Sequence, residues 1–430
     1  MPSGGHAVAR FVRFTVAFGL LCLWPPAASG VVERGAATLV YDSTGVPGEY
    51  VYVSAPALAY DPDSRRVLAT WSVSSGTWGT LRARVLDDAG EPVSDPITLP
   101  GFDWAGDVAV AAAGQGRFVV GGVTTDFTGC GPHGLTTVAV TADGVLGERH
   151  NVAPPVPGCE YDELSLAGNA RSPHVEAVWF RAQGHGKPGA VFGRLLGPNG
   201  EPTGPPRVLV RPTAHASWQR GSTAVTYAPA LGSWVVVATR GEYRRLRCVR
   251  SDVSARLLDA AGAPRGPAHP VAQRPCGSEG PAQVTWSPTE PRGLVVYPQT
   301  RTDDGTTFLR AVPLGERITP TGPAHRVDVQ SSFLQGAHAS SALVLPDGDV
   351  LLTYLRVCEP PSPTAAQDCP AQEPGVAQRI DPEGRRHGRP AVVADGPASI
   401  VATAQGHLLG WRRFRSFAEP QQVLTAPFSA

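Results

Sequence analysis

The chain has 430 residues, enough to bury a large core without a stapling disulfide or metal. Its 49 glycines and 43 prolines, about a fifth of the residues, leave little room for ordinary helices, while a hydrophobic share of 42% excludes a disordered tract. Charges balance at 37 basic against 37 acidic residues, which gives no general electrostatic case for nucleic acid or a membrane surface as partner. Lys187 is the single lysine, a mark of codon bias in a GC-rich bacterium.

Residues 1–30 read as a secretory signal peptide. Arg10 and Arg13 supply the positive region, residues 14–24 a short apolar core, and Ala28-Ser29-Gly30 the small residues before a cleavage site. The apolar run is too short to span a bilayer easily. Gly19-Leu20-Leu21 before Cys22 is a poor lipobox, so a cleaved, secreted or periplasmic protein is expected, without a lipid anchor. No later stretch is long and apolar enough for a transmembrane helix. Loss of Arg10 and Arg13 leaves the mature chain slightly acidic.

Beyond the leader a short apolar run recurs: VLATW to Trp71, FVVGG to Gly122, VEAVW to Trp179, WVVVA to Ala238, LVVY to Tyr297, LLTY to Tyr354 and LLGW to Trp411. Most successive copies stand about 57 residues apart. β-branched runs of this length, bounded by Gly, Pro and Asp, are buried strands. The Trp and Tyr residues that end them read as core, filling space between neighbouring sheets. Each run is preceded by another strand: ALAYDP, DVAVAAA, ELSLAG, STAVTYAP, AQVTWSP, ASSALVLP and PASIVATA. Each of the first six is followed by a strand ending in a glycine turn, at Gly90, Gly144, Gly200, Gly262, Gly322 and Gly384. A unit is therefore strand A, turn, strand B, longer loop, strand C, glycine turn, strand D. The seventh ends after strand C, and residues 37–43 are free to supply its outer strand.

Strand A, a turn, strand B ending in Trp or Tyr, then R-[LV]-x-D-x-x-G-x-P-x-G resembles the repeat of secreted bacterial β-propellers and covers nearly the whole mature chain. The resemblance implies an all-β fold: a seven-bladed β-propeller of four-stranded antiparallel blades, closed by the N-terminal strand. Six or eight blades remain alternatives. A single domain is expected over residues 31–430. Its blades fall near 56–102, 103–156, 157–213, 214–274, 275–330, 331–395, and 396–430 completed by 37–43. The motif names no activity, since propellers host many.

In such a ring the A–B and C–D turns share one face, and the B–C loops and blade crossings share the other. Cys130, Cys159, Cys248, Cys276, Cys358 and Cys369 all fall on the second. Disulfides Cys130–Cys159, Cys248–Cys276 and Cys358–Cys369 are expected. Loops long enough to need pinning make this the working face.

Candidate ligand-binding residues stand just before or at the start of strand A, where the funnel opens: Asp103, Trp104, Asp107, Tyr161, Asp162, Glu163, Trp218, Arg220, Glu279 and His338. Carboxylates, an arginine and aromatic platforms suit a sugar or a peptide. The same groups also suit the ordinary polar lining of a propeller funnel. Arg240, Arg244, Arg245, Arg247 and Arg250 surround one B–C loop, either as a site for an acidic glycan or as a solvated loop. Asp61-Pro62-Asp63 and Asp347-Gly348-Asp349 read as turn formers rather than calcium loops. No zinc pattern, phosphate loop or nucleophile elbow is present, so neither a metal nor a cofactor is expected. The sequence favours a monomeric ligand-binding or protein-interaction scaffold, with no catalytic residue assigned. The alternative is a propeller glycoside hydrolase or polysaccharide lyase using funnel carboxylates.

Overall fold

In the computed structural model the chain is described over residues 33–44, 46, 51–75, 78–102, 105–124, 134–154, 160–169, 172–182, 189–211, 218–244, 247–274, 282–300, 306–331, 341–355, 374–413 and 420–429. The leader lies outside them. Among them every element is a β-strand, and no helix is long and apolar enough to cross a membrane.

The strands form seven antiparallel sheets, each a blade of a β-propeller. Blade 3 shows the plan: strand A is Glu160–Asn169, B is Ser172–Ala182, C is Ala190–Leu196 and D is Arg207–Val210. The A strands stand innermost. Each contacts the next around the ring, and Ala398–Thr403 of blade 7 returns to Ala57–Asp61 of blade 1. The closing strand is where the sequence places it. Thr38–Asp42 pairs antiparallel with Gln422–Ser429, strand C of blade 7. A second short segment that the sequence does not announce, Glu33–Arg34, pairs further along the same strand. Blade 1 also gains Tyr52–Val53, upstream of its expected start, paired with Arg66–Ser75.

Seven hydrophobic clusters hold the ring, one at each seam between neighbouring blades. A strand sends alternate side chains to opposite faces. Val175, Ala177 and Trp179 accordingly pack into the seam with blade 2, and Val178 and Phe180 into the seam with blade 4. Both faces are buried, which is why strand B reads as an unbroken apolar run. Trp71, Trp179, Tyr297, Tyr354 and Trp411 are all buried in seams, as expected.

The repeated arginine of strand C is an inter-blade clamp. Arg84, Arg194 and Arg256 each bond a carbonyl ten residues on, in their own C–D connection, at Ser94, Gly204 and Gly266. Each also donates to the outer strand of the preceding blade, at Val40, Val152 and Leu209. Burial pushes all three guanidinium groups below their ordinary value. Arg194→Ala strands two carbonyls and should destabilise the protein by about 2 kcal/mol. Arg194→Lys, which cannot span both, should recover less than half of that in chemical denaturation. A loss within the range of an ordinary surface change would remove the clamp.

The glycine turns are as read, with one correction. Gly90, Gly144, Gly200, Gly262 and Gly384 have φ between 74° and 91°. In blade 5, however, the turn closes by a Gly315 N–H bond to Thr319 O, so the left-handed position belongs to Ile318 and not to Gly322. Ile318 has φ 54°, an unfavourable conformation for a β-branched residue. Its side chain is buried in the seam with blade 4, and that burial offsets the strain.

Candidate functional site

The mouth at which the inner strands begin carries six of the ten candidate residues on a described backbone. Asp107 lies in Ala105–Gly114 of blade 2, Asp162 and Glu163 in Glu160–Asn169 of blade 3 with Tyr161 before them, and Arg220 in Trp218–Ala228 of blade 4. Trp218 opens that last strand. These three strands are consecutive members of the inner ring and touch in turn. Asp103, Trp104, Glu279 and His338 lie outside the described residues.

Local register distinguishes two of the carboxylates. Ala105 faces Thr124 and Val108 faces Gly122, so Gly106 and Asp107 oppose a single partner residue. In blade 3, Asp162 faces Phe180 and Leu164 faces Trp179, which leaves Glu163 as the extra residue. Both are β-bulges, features that bend a strand and re-aim its residues and that recur beside active sites. The neighbouring strand of blade 4 runs without a break, from Trp218 opposite Tyr243 to Ala228 opposite Ser233. The mouth therefore brings Asp107 and Glu163 to bulged positions on adjacent strands, with Trp218 and Arg220 on the next.

Below this mouth, blade 4 is polar at its centre. The Ser222 and Thr239 hydroxyls stand 2.6 Å apart, and Thr223 Oγ1 donates to Val178 O of blade 3 at 3.2 Å. Arg240 stands 3.9 Å from Asp252 and bonds the Arg211 carbonyl at 2.9 Å. Of the cysteines expected to form disulfides, only Cys248 is in a described strand, opposite Tyr243. Cys130, Cys159, Cys276, Cys358 and Cys369 lie outside the described residues, so no pairing is traced.

The A–B turns gather at the other end of the channel, where a recess of about 280 Å³ lies among blades 1–3. Tyr60, Asp61, Asp63 and Asn169 are among its lining residues. Asp61 and Asp63 behave there as turn and seam formers. Asp61 Oδ2 accepts from the Ser64 amide, the Ser64 hydroxyl and the Gly116 amide of blade 2, and Asp63 Oδ2 accepts from the Gln115 amide. Asp347 and Asp349 both bind Arg379, and Asp349 also takes His387 at 3.0 Å. No group of three or more His, Cys, Asp or Glu positioned for a metal occurs among the described residues.

A buried acid escapes sequence reasoning. Glu176, in strand B of blade 3, is 0% exposed, and neither carboxylate oxygen has a protein partner. It fills a gap between two glycines. A Cβ at Gly193 would lie 2.8 Å from its Oε1, and a Cβ at Gly262 of blade 4 would lie 2.6 Å from its Oε2. In two other seams a strand-C threonine occupies the corresponding place, Thr137 donating to Gly200 O and Thr425 to Gly90 O. Burial pushes the Glu176 carboxyl up to about 8, against the pull of Arg207 and with a push from Asp259. The signal was present: VEAVW carries a charge in a strand whose two faces both pack into seams.

No family model and no curated relative matches the chain. Among solved structures it is similar to an α-L-arabinanase of Penicillium chrysogenum complexed with arabinobiose, at 13% identity and TM-score 0.47, over 92% of this chain and 98% of that one. It is also similar to the α-L-arabinofuranosidase Arb93A of Fusarium graminearum, at 10% identity and TM-score 0.45, over 92% and 98%. A third is the polysaccharide lyase Uly1, at 9% identity and TM-score 0.44, over 76% and 77%.

Proposed function

We propose that this protein is an exported propeller that binds a carbohydrate chain at the mouth where its inner strands begin and cleaves it with Asp107 and Glu163. The observation that carries the reading is the pair of bulges, at which Asp107 and Glu163 fall on adjacent inner strands toward one end of the channel. Glycoside cleavage needs two such groups, one to protonate the leaving oxygen and one to activate water or attack the sugar. Cleavage by elimination needs a base and a proton donor at the same place. Tyr161 and Trp218 supply flat apolar surfaces to stack on a sugar ring. Residues 1–30 serve as the export signal, residues 31–430 form the single domain, and the three disulfides pin the loops around the site.

The test is reducing-end release from a panel of neutral and uronate-containing polysaccharides, with ultraviolet detection of unsaturated ends. Wild type should cleave one of them. Asp107→Asn and Glu163→Gln should each lower the rate by at least about a hundredfold while the protein stays folded and still binds the chain. If wild type binds a polysaccharide and cleaves none, the protein is the binding scaffold that the sequence favoured. Full activity in both variants would move the chemistry elsewhere.

A further inference from the structure

The described strands of blade 4 are long at the mouth. Its strands run Trp218–Ala228, Ser233–Arg244, Arg247–Leu258 and Pro264–Arg274, or 11, 12, 12 and 11 residues. Its strand B continues six residues past Ala238, the position equivalent to the buried Trp and Tyr residues of the other blades. Among the described strands the corresponding extension is one to four residues, the longest reaching from Trp71 to Ser75 and the shortest from Tyr354 to Leu355.

The mouth end of blade 4 carries arginine on all four strands. Arg220 lies on strand A, Arg240 and Arg244 on B, Arg247 and Arg250 on C, and Arg274 on D. The ladder sets Arg244 opposite Arg247, Glu242 opposite Arg250, and Arg274 opposite Ser251. Glu242 and Asp252 are the only acids on the same stretch, so arginines exceed acids by four among the described residues. Like charges set opposite each other across a ladder destabilise it, so the fold alone does not favour the Arg244–Arg247 pairing. Blade 3, next around the ring, presents Glu160, Asp162 and Glu163 at the same end. The mouth is thus polarised, acidic on blade 3 and basic on blade 4.

We infer that the mouth end of blade 4 is a subsite for an acidic polysaccharide, one bearing uronate or sulfate groups, next to the strands of blades 2 and 3 that carry Asp107 and Glu163. The inference rests on the carbohydrate reading of the mouth and narrows its substrate. Arginines recurring along neighbouring strands suit a polymer of repeated anions, because a planar guanidinium pairs well with carboxylate and sulfate oxygens. Arg220, on the inner strand, is the link between this wall and the bulged carboxylates.

The experiment measures affinity for alginate, polygalacturonate and neutral arabinan, by affinity electrophoresis at low salt and at about 0.5 M salt, where screening is nearly complete over a few ångströms. Wild type should bind at least one of the two acidic polymers and lose that binding at high salt. Arg244→Gln, Arg247→Gln and Arg250→Gln together should weaken it about tenfold. Single Arg250→Gln, which removes no like-charge pair, should weaken it by a smaller factor and serves if the triple variant does not fold. Affinity for both acidic polymers unchanged by these variants, or equal affinity for duplex DNA of matched length, would overturn the inference. The two proposals fail separately. Acidic chains bound through these arginines but cleaved by nothing would end the enzyme reading alone. A neutral chain cleaved at full rate by the triple variant would end this one alone.

Discussion

Glu176→Gln should make the protein more stable at alkaline pH and flatten its pH dependence. The folded carboxyl titrates at about 8 against an ordinary value of 4.5, because its site between blades 3 and 4 is dry. The folded state therefore keeps a proton that the unfolded chain releases. The stabilising contribution is complete below about pH 4, declines as pH rises through the window from 4.5 to 8, and is gone above it. Over that window wild type should lose on the order of 4 kcal/mol through this one group. For a ring of this size that is about 5 °C in thermal midpoint. Glutamine keeps the shape and stays neutral, so the variant should match wild type near pH 5 and exceed it by most of that shift near pH 9. Parallel midpoints across the whole range would show that Glu176 is ionised and paired in the folded state.

Val40→Asp should be among the most damaging single changes on the outer rim. Val40 sits in the closing strand and packs in the seam between blades 7 and 1, with Trp71, Leu86 and Leu408 in the same cluster. It is fully buried, while Leu39 beside it is 46% exposed. An aspartate there leaves an unpaired charge in an apolar seam, costing about 4 kcal/mol, or about 5 °C. It also loosens a strand whose Val40 carbonyl holds Arg84. Leu39→Asp changes the same strand on its wet side and should cost less than about 0.5 kcal/mol. Equal behaviour of the two variants would mean that the closing strand is dispensable.

Most of the ring was legible because its physics repeats. Strand B is apolar on both faces in every blade, and the spacing of Trp71, Trp179, Tyr297, Tyr354 and Trp411 reflects one seam position returning. Turn glycines followed from the need for positive φ. Blade 5 broke that reading because Ile318 takes the left-handed place and is held there by its buried side chain, a tertiary effect that no local pattern announces. Glu176 stood out as a charge within VEAVW, but its partner glycines were illegible for a similar reason: Gly193 and Gly262 matter only once two blades meet. At the mouth, composition pointed to candidate strands, but the bulges at Asp107 and Glu163 are matters of pairing register, which a single strand's sequence does not contain.

The ladder that seals the ring joins Glu33 to Ser429, nearly the full length of the chain apart. Those two residues lie far apart along the chain, so the segment at Glu33 has no partner until Gln422–Ser429 is in place. Long-range pairings of this kind form slowly. Closure of the ring in this sense waits on a contact between two segments distant in the chain, and loss of either leaves the ring unsealed.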